Sequence, residues 1–291
     1  MMRDVLILHN SVDIDLPGQK TAWAESNAGV LDQVNAVSGA LEKLGVGHEV
    51  DSIGDIRELA DVLMRKGQHV IFNLVEEFPG NIEDACYVPS VCYAHGRVCT
   101  GNGTAGLLMA QNKWKTKAVL GAVGVPCPQG VVVPIGRKFC QNELPPGKYI
   151  VKPVYSDASE GIDVSSIVEL PGSGMAKAVD RVHIQFGQPA IVEQFISPRE
   201  LNVSVLERNG KAEVLPVAEI DFGAFETDRP RIVDYDAKWR ADSFAFHNTP
   251  RIIPAPISSS ALLAVQRYAV EAWDVVGCKG YARVDFRMDD H

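Results

Sequence analysis

The chain has 291 residues, of which 46% are hydrophobic and 22% are charged, as in a soluble globular protein of two or three domains. Its net charge of −9, without a basic run, argues against nucleic acid as a partner. No apolar stretch approaches the ~20 residues that span a bilayer, and the apolar run near the start is too short for a signal peptide. We therefore expect a cytoplasmic protein that binds neither nucleic acid nor membranes.

Strand and helix patterns alternate at the start of the chain. Residues 5–8 form a continuous apolar run, which is typical of a parallel strand buried on both faces. Helical stripes cover residues 30–44 and 56–64, and further strands are predicted at 46–50 and 69–74. This βαβαβ order predicts an α/β fold with a doubly wound parallel sheet. No G-x-G-x-x-G motif follows the first strand, so a Rossmann dinucleotide site is not supported.

The rest of the chain mixes further helices with a larger share of strands. Helices are predicted at residues 82–95, 104–109, 113–123, 175–186 and 259–276. Strands are predicted at residues 98–101, 131–133, 149–151 and 162–164, and strands dominate again from residue 190. Residues 221–256 are rich in Pro, Asp and Arg and lack periodicity, so we expect a long loop that is functional or partly disordered.

Two lysines stand where phosphate groups would be held. Lys152 ends an apolar run and precedes Pro153, and the small-residue loop 155–161 follows it. Lys117 closes the motif Asn112-Lys-Trp-Lys-Thr-Lys. Phosphate binding needs positive charge and backbone donors, which a lysine at a strand end and such a loop supply. Each lysine also has a simpler interpretation, since Lys152 alone fits a surface lysine and Lys117 fits a solvated helix face.

Three carboxylates follow in the second half of the chain. Glu193 interrupts an apolar strand, where burial would demand a partner, although simple alternation would place it on the solvated face. Glu200 could accept hydrogen bonds from ribose hydroxyls. Asp285 lies in Tyr281-Ala-Arg-Val-Asp-Phe, with Arg283 before it and Arg287 after it. It is either half of a salt bridge or a hard oxygen ligand for Mg²⁺.

In this order the motifs resemble the ATP-grasp superfamily and, within it, the D-alanine–D-alanine ligase family. The resemblance covers nearly the whole chain and is strongest at residues 112–128, 149–161, 191–203, 235–239 and 280–286. It implies three α/β lobes: an N-terminal doubly wound sheet in residues 1–103, a central lobe in 104–188 and a C-terminal lobe in 189–291. ATP is expected between the last two. Family members join two amino acids in a peptide bond through an acyl-phosphate, using ATP and Mg²⁺.

The resemblance also assigns roles to individual residues, with ATP and Mg²⁺ or Mn²⁺ as cofactors. Lys117 and Lys152 would hold the ATP phosphates. The adenine would be lined by Glu193, Gln194 and Ile196, and the ribose would be bound by Glu200. Lys238 would reach the γ-phosphate, and Arg283 would stabilise the acyl-phosphate. Ser159, the serine that remains in the phosphate loop (residues 155–161), would be catalytic, and Asp285 would bind the metal.

The chain departs from the family pattern mainly at substrate positions. The family's Gly-Gly-x-Ser-x-Glu loop reads His9-Asn-Ser-Val-Asp-Ile-Asp, and its His-Gly after the third strand reads Val75-Glu-Glu. The first serine of the phosphate loop is Ala158, and the tyrosine after the catalytic lysine is Trp239. Nucleotide positions match and amino-acid positions do not, so the acid and amine substrates need not be D-alanine.

The end of the sequence is a second departure. Family members place a Glu-x-Asn pair about a dozen residues after the aspartate, to hold a second metal, whereas this sequence ends at His291. We expect the C-terminal lobe to be incomplete in this sequence, which as written has one metal carboxylate and should turn over poorly.

These observations favour an ATP-dependent carboxylate–amine ligase with small-molecule amino-acid substrates. The resemblance also suggests a homodimer. Three alternatives stay open: a ligase for a different acid and amine, a non-catalytic ATP-binding homologue, and a kinase that releases a stable phosphorylated product. ADP formation that depends on an added amino acid separates a ligase from a non-catalytic homologue, and a kinase would release no free phosphate.

Overall fold

The computed structural model describes residues 3–12, 24–78 and 80–289. Its contacts divide the chain into two units. The first unit comprises Met1–Leu108 and Cys278–Gly280, and the second comprises Met109–Gly277 and Tyr281–His291. In the described part of the chain, no helix combines the length and the apolar character that crossing a membrane requires.

The first unit is built on a four-stranded parallel sheet, which confirms the predicted doubly wound topology. Its elements are β1 (Arg3–Asn10), α1 (Ala24–Lys43), β2 (Gly47–Ile53), α2 (Leu59–Arg65), β3 (Val70–Leu74), α3 (Val88–Ala94) and β4 (Val98–Cys99). The strand order is β2-β1-β3-β4, so the chain reverses direction across the sheet after β2. A further helix, α4 (Thr104–Gln111), follows β4.

Alternation along β1 explains why both faces of this sheet are buried. Leu6 and Leu8 pack in one apolar cluster with residues of α2 and α3, such as Leu59. Val5 and Ile7 point the other way and pack with residues of α1. The helix predicted over 82–95 is shorter than expected: a 3₁₀ turn at Asp84–Tyr87 precedes α3.

The second unit contains two antiparallel sheets. The first has four strands in the order β5-β8-β6-β7. Its elements are α5 (Lys113–Ala122), β5 (Gly130–Val133), β6 (Gly147–Pro153), β7 (Ile167–Leu170), α6 (Gly174–Phe186) and β8 (Ala190–Gln194). One face of this sheet packs against α6 through residues such as Val151, Val192 and Val179. The alternating residues Lys152, Ile191 and Glu193 lie on the other face.

One prediction about this sheet needs correction. The strand predicted at 162–164 is wrong: a 3₁₀ turn at Val164–Ser166 occupies that region, and the strand is β7. Asp163 caps the turn by accepting a hydrogen bond from the Ser165 N–H, which competes with strand pairing. In the same sheet, β8 pairs with both β5 and β6.

The second sheet has five strands, with β9 at its centre. Its elements are β9 (Arg199–Arg208), β10 (Lys211–Val214), β11 (Ala218–Ile220), α7 (Tyr235–Trp239), α8 (Phe244–His247), β12 (Arg251–Ile252), α9 (Ser259–Val276) and β13 (Tyr281–Met288). Leu201, Val203 and Val205 are buried on one face of β9, and α9 packs against β9 and β13. The segment expected to be a long loop, residues 221–256, contains α7, α8 and β12.

Candidate active site

Glu193 lies buried between the two lysines that the sequence analysis selected. Lys117 Nζ is 2.8 Å from Glu193 Oε2, and Lys152 Nζ pairs with Oε1. Lys152 lies on β6 beside β8, two positions along from the residue opposite Glu193, so both side chains occupy the same face. Lys117 reaches them from α5 and also donates to the Pro128 carbonyl. The structure thus brings three predicted site residues into one cluster, and Glu193 is not on a solvated face.

The charge state of this cluster follows from its surroundings. Burial disfavours the ionised form of Glu193, but the positive charges of Lys152 and Lys117 outweigh it and hold the pKa of the carboxyl below its usual range. Glu193 is therefore ionised at neutral pH. Two ammonium groups against one carboxylate leave the cluster with a surplus positive charge, as an anion site requires.

Gly130 allows β5 and β8 to approach each other closely beside Glu193. It lies opposite Glu193 in the β5–β8 pair. A Cβ atom at Gly130 would lie 2.2 Å from the Val192 carbonyl oxygen and 2.8 Å from the Glu193 Cα, which is far inside contact distance. Only glycine fits at this position without displacing the strand that carries Glu193.

Lys113 is a third lysine of this region that the sequence analysis did not select. Its Nζ donates to the carbonyls of Val154 and Ser156, at the start of the phosphate loop. Burial and the nearby charge of Lys152 lower the pKa of Lys113 to about 7. The interpretation of α5 as a solvated lysine face therefore holds for Lys115, which is exposed, and not for Lys113.

The phosphate loop, residues 155–161, has a backbone conformation that side chains rarely adopt. Ala158 and Ser159 have φ values of 49° and 64°, in the left-handed region. For residues other than glycine this conformation is energetically unfavourable, and it persists only where the surrounding structure holds it. Such conformations recur at functional sites. The loop is held by residues 233–239, which we call the α7 segment.

Three hydrogen bonds join the phosphate loop, together with the residue that follows it, to the α7 segment. Ser159 Oγ donates to the Val233 carbonyl at 2.8 Å, and Trp239 Nε1 donates to the Ala158 carbonyl at 2.9 Å. The Tyr235 N–H donates to the carbonyl of Ile162, just beyond the loop, at 3.1 Å. The hydroxyl of Ser159, predicted as catalytic, is thus engaged in holding the loop.

Lys238 lies in α7 among groups from β9 and β13. Burial lowers the pKa of Lys238, and the charge of Arg283 lowers it further, while Asp285 and Glu200 act in the opposite direction. The structure therefore brings Lys238 within electrostatic range of three other predicted site residues. Asp234 begins α7 by accepting a hydrogen bond from the Ala237 N–H at 3.0 Å, which fixes the turn that carries Lys238.

Arg283 and Asp285 form a two-pronged ion pair on β13. Arg283 Nε is 2.7 Å from Asp285 Oδ1, and Arg283 Nη2 is 2.9 Å from Oδ2. Asn202, opposite Asp285 on β9, donates to Oδ1 at 2.9 Å. A carboxylate accepts about four hydrogen bonds or metal bonds, and these three contacts leave a position on Oδ2. The salt-bridge interpretation is thus correct, and the donor set still fits a metal ion there.

Glu200 pairs with Arg287, which the sequence analysis noted only as a neighbour of Asp285. Arg287 Nη1 is 2.8 Å from Glu200 Oε2, and Arg287 Nε donates to the Ile196 carbonyl at 2.9 Å. Arg287 could have been found from its spacing, because residues 283, 285 and 287 share one face of β13. Gln194 is exposed at the end of β8, where its N–H donates to the Gln129 carbonyl at 2.8 Å.

Asp13 and Asp15, the acids of the altered N-terminal loop, lie outside the described residues. Within those residues, no group of three or more His, Cys, Asp or Glu side chains could by itself hold a metal ion. A Mg²⁺ ion at Asp285 would therefore need phosphate oxygens and water molecules among its other ligands, as is usual for this ion.

The fold and the site define a protein of the ATP-grasp class. A D-alanine–D-alanine ligase from Bacillus anthracis, solved in complex with ATP, has the same fold: the TM-score is 0.70 at 14% identity, covering 99% of this chain and 83% of that one. D-alanyl-alanine synthetase A from Vibrio cholerae gives a TM-score of 0.67 at 16% identity, covering 100% of this chain and 86% of that one.

Sequence comparison narrows this class to a family. A protein-family model, described as the D-ala D-ala ligase C-terminus, matches residues 140–291 of the chain. The D-alanine–D-alanine ligase of Caulobacter sp. (strain K31) is 30% identical over 255 residues, which is 88% of this chain and 73% of that protein. That of Parvibaculum lavamentivorans is 30% identical over 277 residues, 93% of this chain and 80% of that protein. The chain therefore belongs to the D-alanine–D-alanine ligase family, which consists of ATP-dependent ligases.

Proposed function

We propose that this protein is an ATP- and Mg²⁺-dependent ligase that joins the carboxylate of one amino acid to the amine of another. Its family membership supports the reaction class. The observation that carries the proposal is the Lys117–Glu193–Lys152 cluster, whose surplus positive charge lies beside a strained phosphate loop. The loop's backbone N–H groups and these ammonium groups are the donors that phosphates require.

We assign nucleotide contacts along β8 and β9. Adenine would lie against residues 194–196, mainly through their backbone, with Glu193 behind them as the carboxylate that fixes both lysines. Ribose hydroxyls would donate to Glu200. Among the described contacts, Arg287 pairs with Oε2 of Glu200, so Oε1 can accept hydrogen bonds from the sugar. Lys117 and Lys152 would hold the phosphates.

Asp285 would hold the metal ion, Mg²⁺ or Mn²⁺, through the position left on Oδ2. The ion would neutralise phosphate charge when it is bound. Arg283 and Asn202 hold the carboxylate in place, because each donates hydrogen bonds to it. This gives Asp285 one defined orientation before any ion arrives, which lowers the cost of binding.

Lys238 and Arg283 would act on the reacting groups. In the first step a carboxylate oxygen of the acid attacks the γ-phosphorus, and ADP leaves. In the second step the amine attacks the acyl carbon, loses a proton, and phosphate leaves. Both steps place negative charge near Lys238 and Arg283, and catalysis by positioning and charge needs no nucleophilic side chain. Ser159 would contribute by holding the phosphate loop through Val233.

The substrates are amino acids of a kind that the site does not specify. The named relatives are D-alanine–D-alanine ligases. Here the phosphate loop carries Ala158 and the α7 segment carries Trp239, so the polar side chains expected at both positions are absent. We propose D-alanine as the first candidate and other small amino acids as the alternative. These altered positions also favour, as a second candidate function, nucleotide binding without ligation.

The resemblance further supports two proposals about the protein in the cell. We propose that it acts in the cytoplasm, where ATP and free amino acids are available, and that it forms a homodimer. Light scattering of the complete gene product would measure the mass of the particle directly. A monomer at all concentrations tested would overturn the homodimer proposal and leave the ligase proposal untouched.

Phosphate release from Mg-ATP by the complete gene product tests the function, across a panel of D- and L-amino acids and small acids. We expect release that depends on an added amino acid, together with a ligated product in the mass spectrum. ADP without free phosphate would instead identify a kinase. Nucleotide binding without amino-acid-dependent turnover would identify the non-catalytic homologue.

A further inference from the structure

Arg287, on β13, contacts three separate segments of the second unit. Its Nε donates to the Ile196 carbonyl at 2.9 Å, and its Nη1 lies 2.8 Å from Glu200 Oε2. Its Nη2 donates to the Arg231 carbonyl at 2.7 Å. Its guanidinium also lies over the ring of Phe195, 5.0 Å from the centroid. One planar group therefore holds the segment after β8, the start of β9 and the approach to the α7 segment.

The position of Arg287 favours these contacts. Its side chain is only 20% exposed and that of Glu200 only 17%. Arg287 stands directly opposite Glu200 in the β9–β13 pair, so the two Cβ atoms are close and the ion pair needs no extended reach. A guanidinium presents its donors in a rigid plane, which suits one carboxylate and two carbonyls at once.

We propose that Arg287 is a positioning residue for nucleoside recognition, and this rests on the proposed function. By holding Glu200 Oε2 and the Ile196 carbonyl together, it aims Glu200 Oε1 at the ribose hydroxyls and keeps the adenine-contacting backbone at a fixed distance from the sugar. Arg287 itself touches neither. The protein therefore distinguishes ribonucleotides from deoxynucleotides through Arg287 as well as through Glu200.

This arrangement has a consequence that a purely structural arginine would not have. Without Arg287, the Glu200 side chain would rotate freely, and hydrogen bonds to the ribose would require its reordering. A nucleotide that lacks one ribose hydroxyl draws less on Glu200, so it should lose less when Arg287 is removed. The two kinds of nucleotide should therefore respond differently to one substitution.

The experiment measures dissociation constants of ATP, 2′-deoxy-ATP and 3′-deoxy-ATP for the complete gene product and for Arg287→Met. Wild-type protein should prefer ATP over at least one deoxy analogue by about tenfold, the usual effect of a hydrogen bond to a charged group. Arg287→Met should weaken ATP by about the same factor and reduce the preference to less than about threefold. Equal weakening of all three nucleotides, with the preference intact, would overturn the inference.

Arg199→Met is a matched control. Arg199 lies next to Glu200 but on the opposite face of β9, and it makes a comparable set of bonds to Glu219 and the Pro256 carbonyl. Its loss should affect stability without changing the nucleotide preference, and a collapse of the preference in this variant too would overturn the inference.

Two further outcomes are distinguishable. If Arg287→Met does not fold, Arg287→Lys decides, because an ammonium group keeps the charge but cannot hold three acceptors in a plane. We expect a reduced preference for ATP in that variant, and a wild-type preference would contradict the inference. If the wild-type protein binds none of the three nucleotides, the proposed function itself fails, which is a different result from nucleotide binding with an unchanged preference.

Discussion

Trp239 Nε1 donates a hydrogen bond to the carbonyl oxygen of Ala158 at 2.9 Å. These are two of the positions at which the chain departs from the family pattern, and the structure shows that they contact each other. The bond uses the backbone of residue 158, so it does not require a polar side chain there. The indole N–H thus joins the phosphate loop to the α7 segment although the expected serine and tyrosine are both absent.

The first prediction concerns this contact. Trp239→Phe keeps an aromatic ring but removes the donor, leaving the Ala158 carbonyl unpaired in a strained loop. We expect the rate of phosphate release to fall about tenfold, as for the loss of one buried hydrogen bond, and protease cleavage within residues 155–161 to increase. Ala158→Ser is the control, because the backbone carbonyl is retained. Unchanged phosphate release in Trp239→Phe, or an equal loss in both variants, would contradict a specific role for this hydrogen bond.

Lys152 provides a second prediction. Lys152→Met leaves Glu193 with Lys117 as its charge partner and removes one ammonium group from the phosphate site. We expect ATP affinity to fall at least about tenfold and the free energy of unfolding to fall by about 2 kcal/mol. Calorimetric titration and urea unfolding would measure the two effects. Lys115→Met, at an exposed position of α5, should change neither. Unchanged ATP affinity in Lys152→Met would refute the role of this lysine.

Gly130 offers a test of the packing around Glu193. Gly130→Ala should lower the free energy of unfolding by about 3 kcal/mol, because the added methyl group meets the backbone of β8. Gly121 lies inside α5, and a Cβ there would meet nothing within 4 Å. Gly121→Ala should therefore stabilise the protein by up to about 1 kcal/mol. If chemical denaturation gave the same change for both alanine variants, the close approach of β5 and β8 would be disproved.

Lys113 makes stability depend on pH. Its pKa is about 7 in the fold and 10.5 for an unperturbed lysine, so the unfolded chain binds more protons between these values. Stability should therefore rise with pH from about 7 upward, with a contribution of at most about 1.4 kcal/mol per pH unit. Below pH 7 both states are protonated and this contribution is flat. Urea unfolding at pH 6 to 9 should show a smaller rise for Lys113→Met, and parallel curves for the two proteins would contradict the assignment.

The local sequence pattern was sufficient to predict much of the fold. The apolar run at residues 5–8 predicted a strand buried on both faces, and β1 is such a strand. The amphipathic stripe at 259–276 gave the bounds of α9, since Ser258 caps the helix and Gly277 ends it. Pattern failed at residues 162–164, where the Asp163 side chain hydrogen bonds locally and is held by Arg181, a partner distant in sequence.

The candidate site was predictable in its residue types and less so in its contacts. Spaced lysines and acids identified Lys117, Lys152 and Glu193, but no spacing shows that one carboxylate binds both lysines. Lys113 was missed because its burial depends on carbonyls about forty positions away. The contact between Trp239 and Ala158 was missed for the same reason. Such contacts are set by how distant segments fold together, which local sequence does not encode.

Isotope transfer distinguishes ligation through an acyl-phosphate from other routes of phosphate release. The complete gene product would be given Mg-ATP and an amino acid labelled with ¹⁸O in its carboxylate, and the released phosphate would be analysed by mass spectrometry. An acyl-phosphate requires that a carboxylate oxygen leave with the phosphate, so we expect one ¹⁸O atom in each phosphate released. Phosphate without the label, released at the same rate, would contradict ligation through an acyl-phosphate.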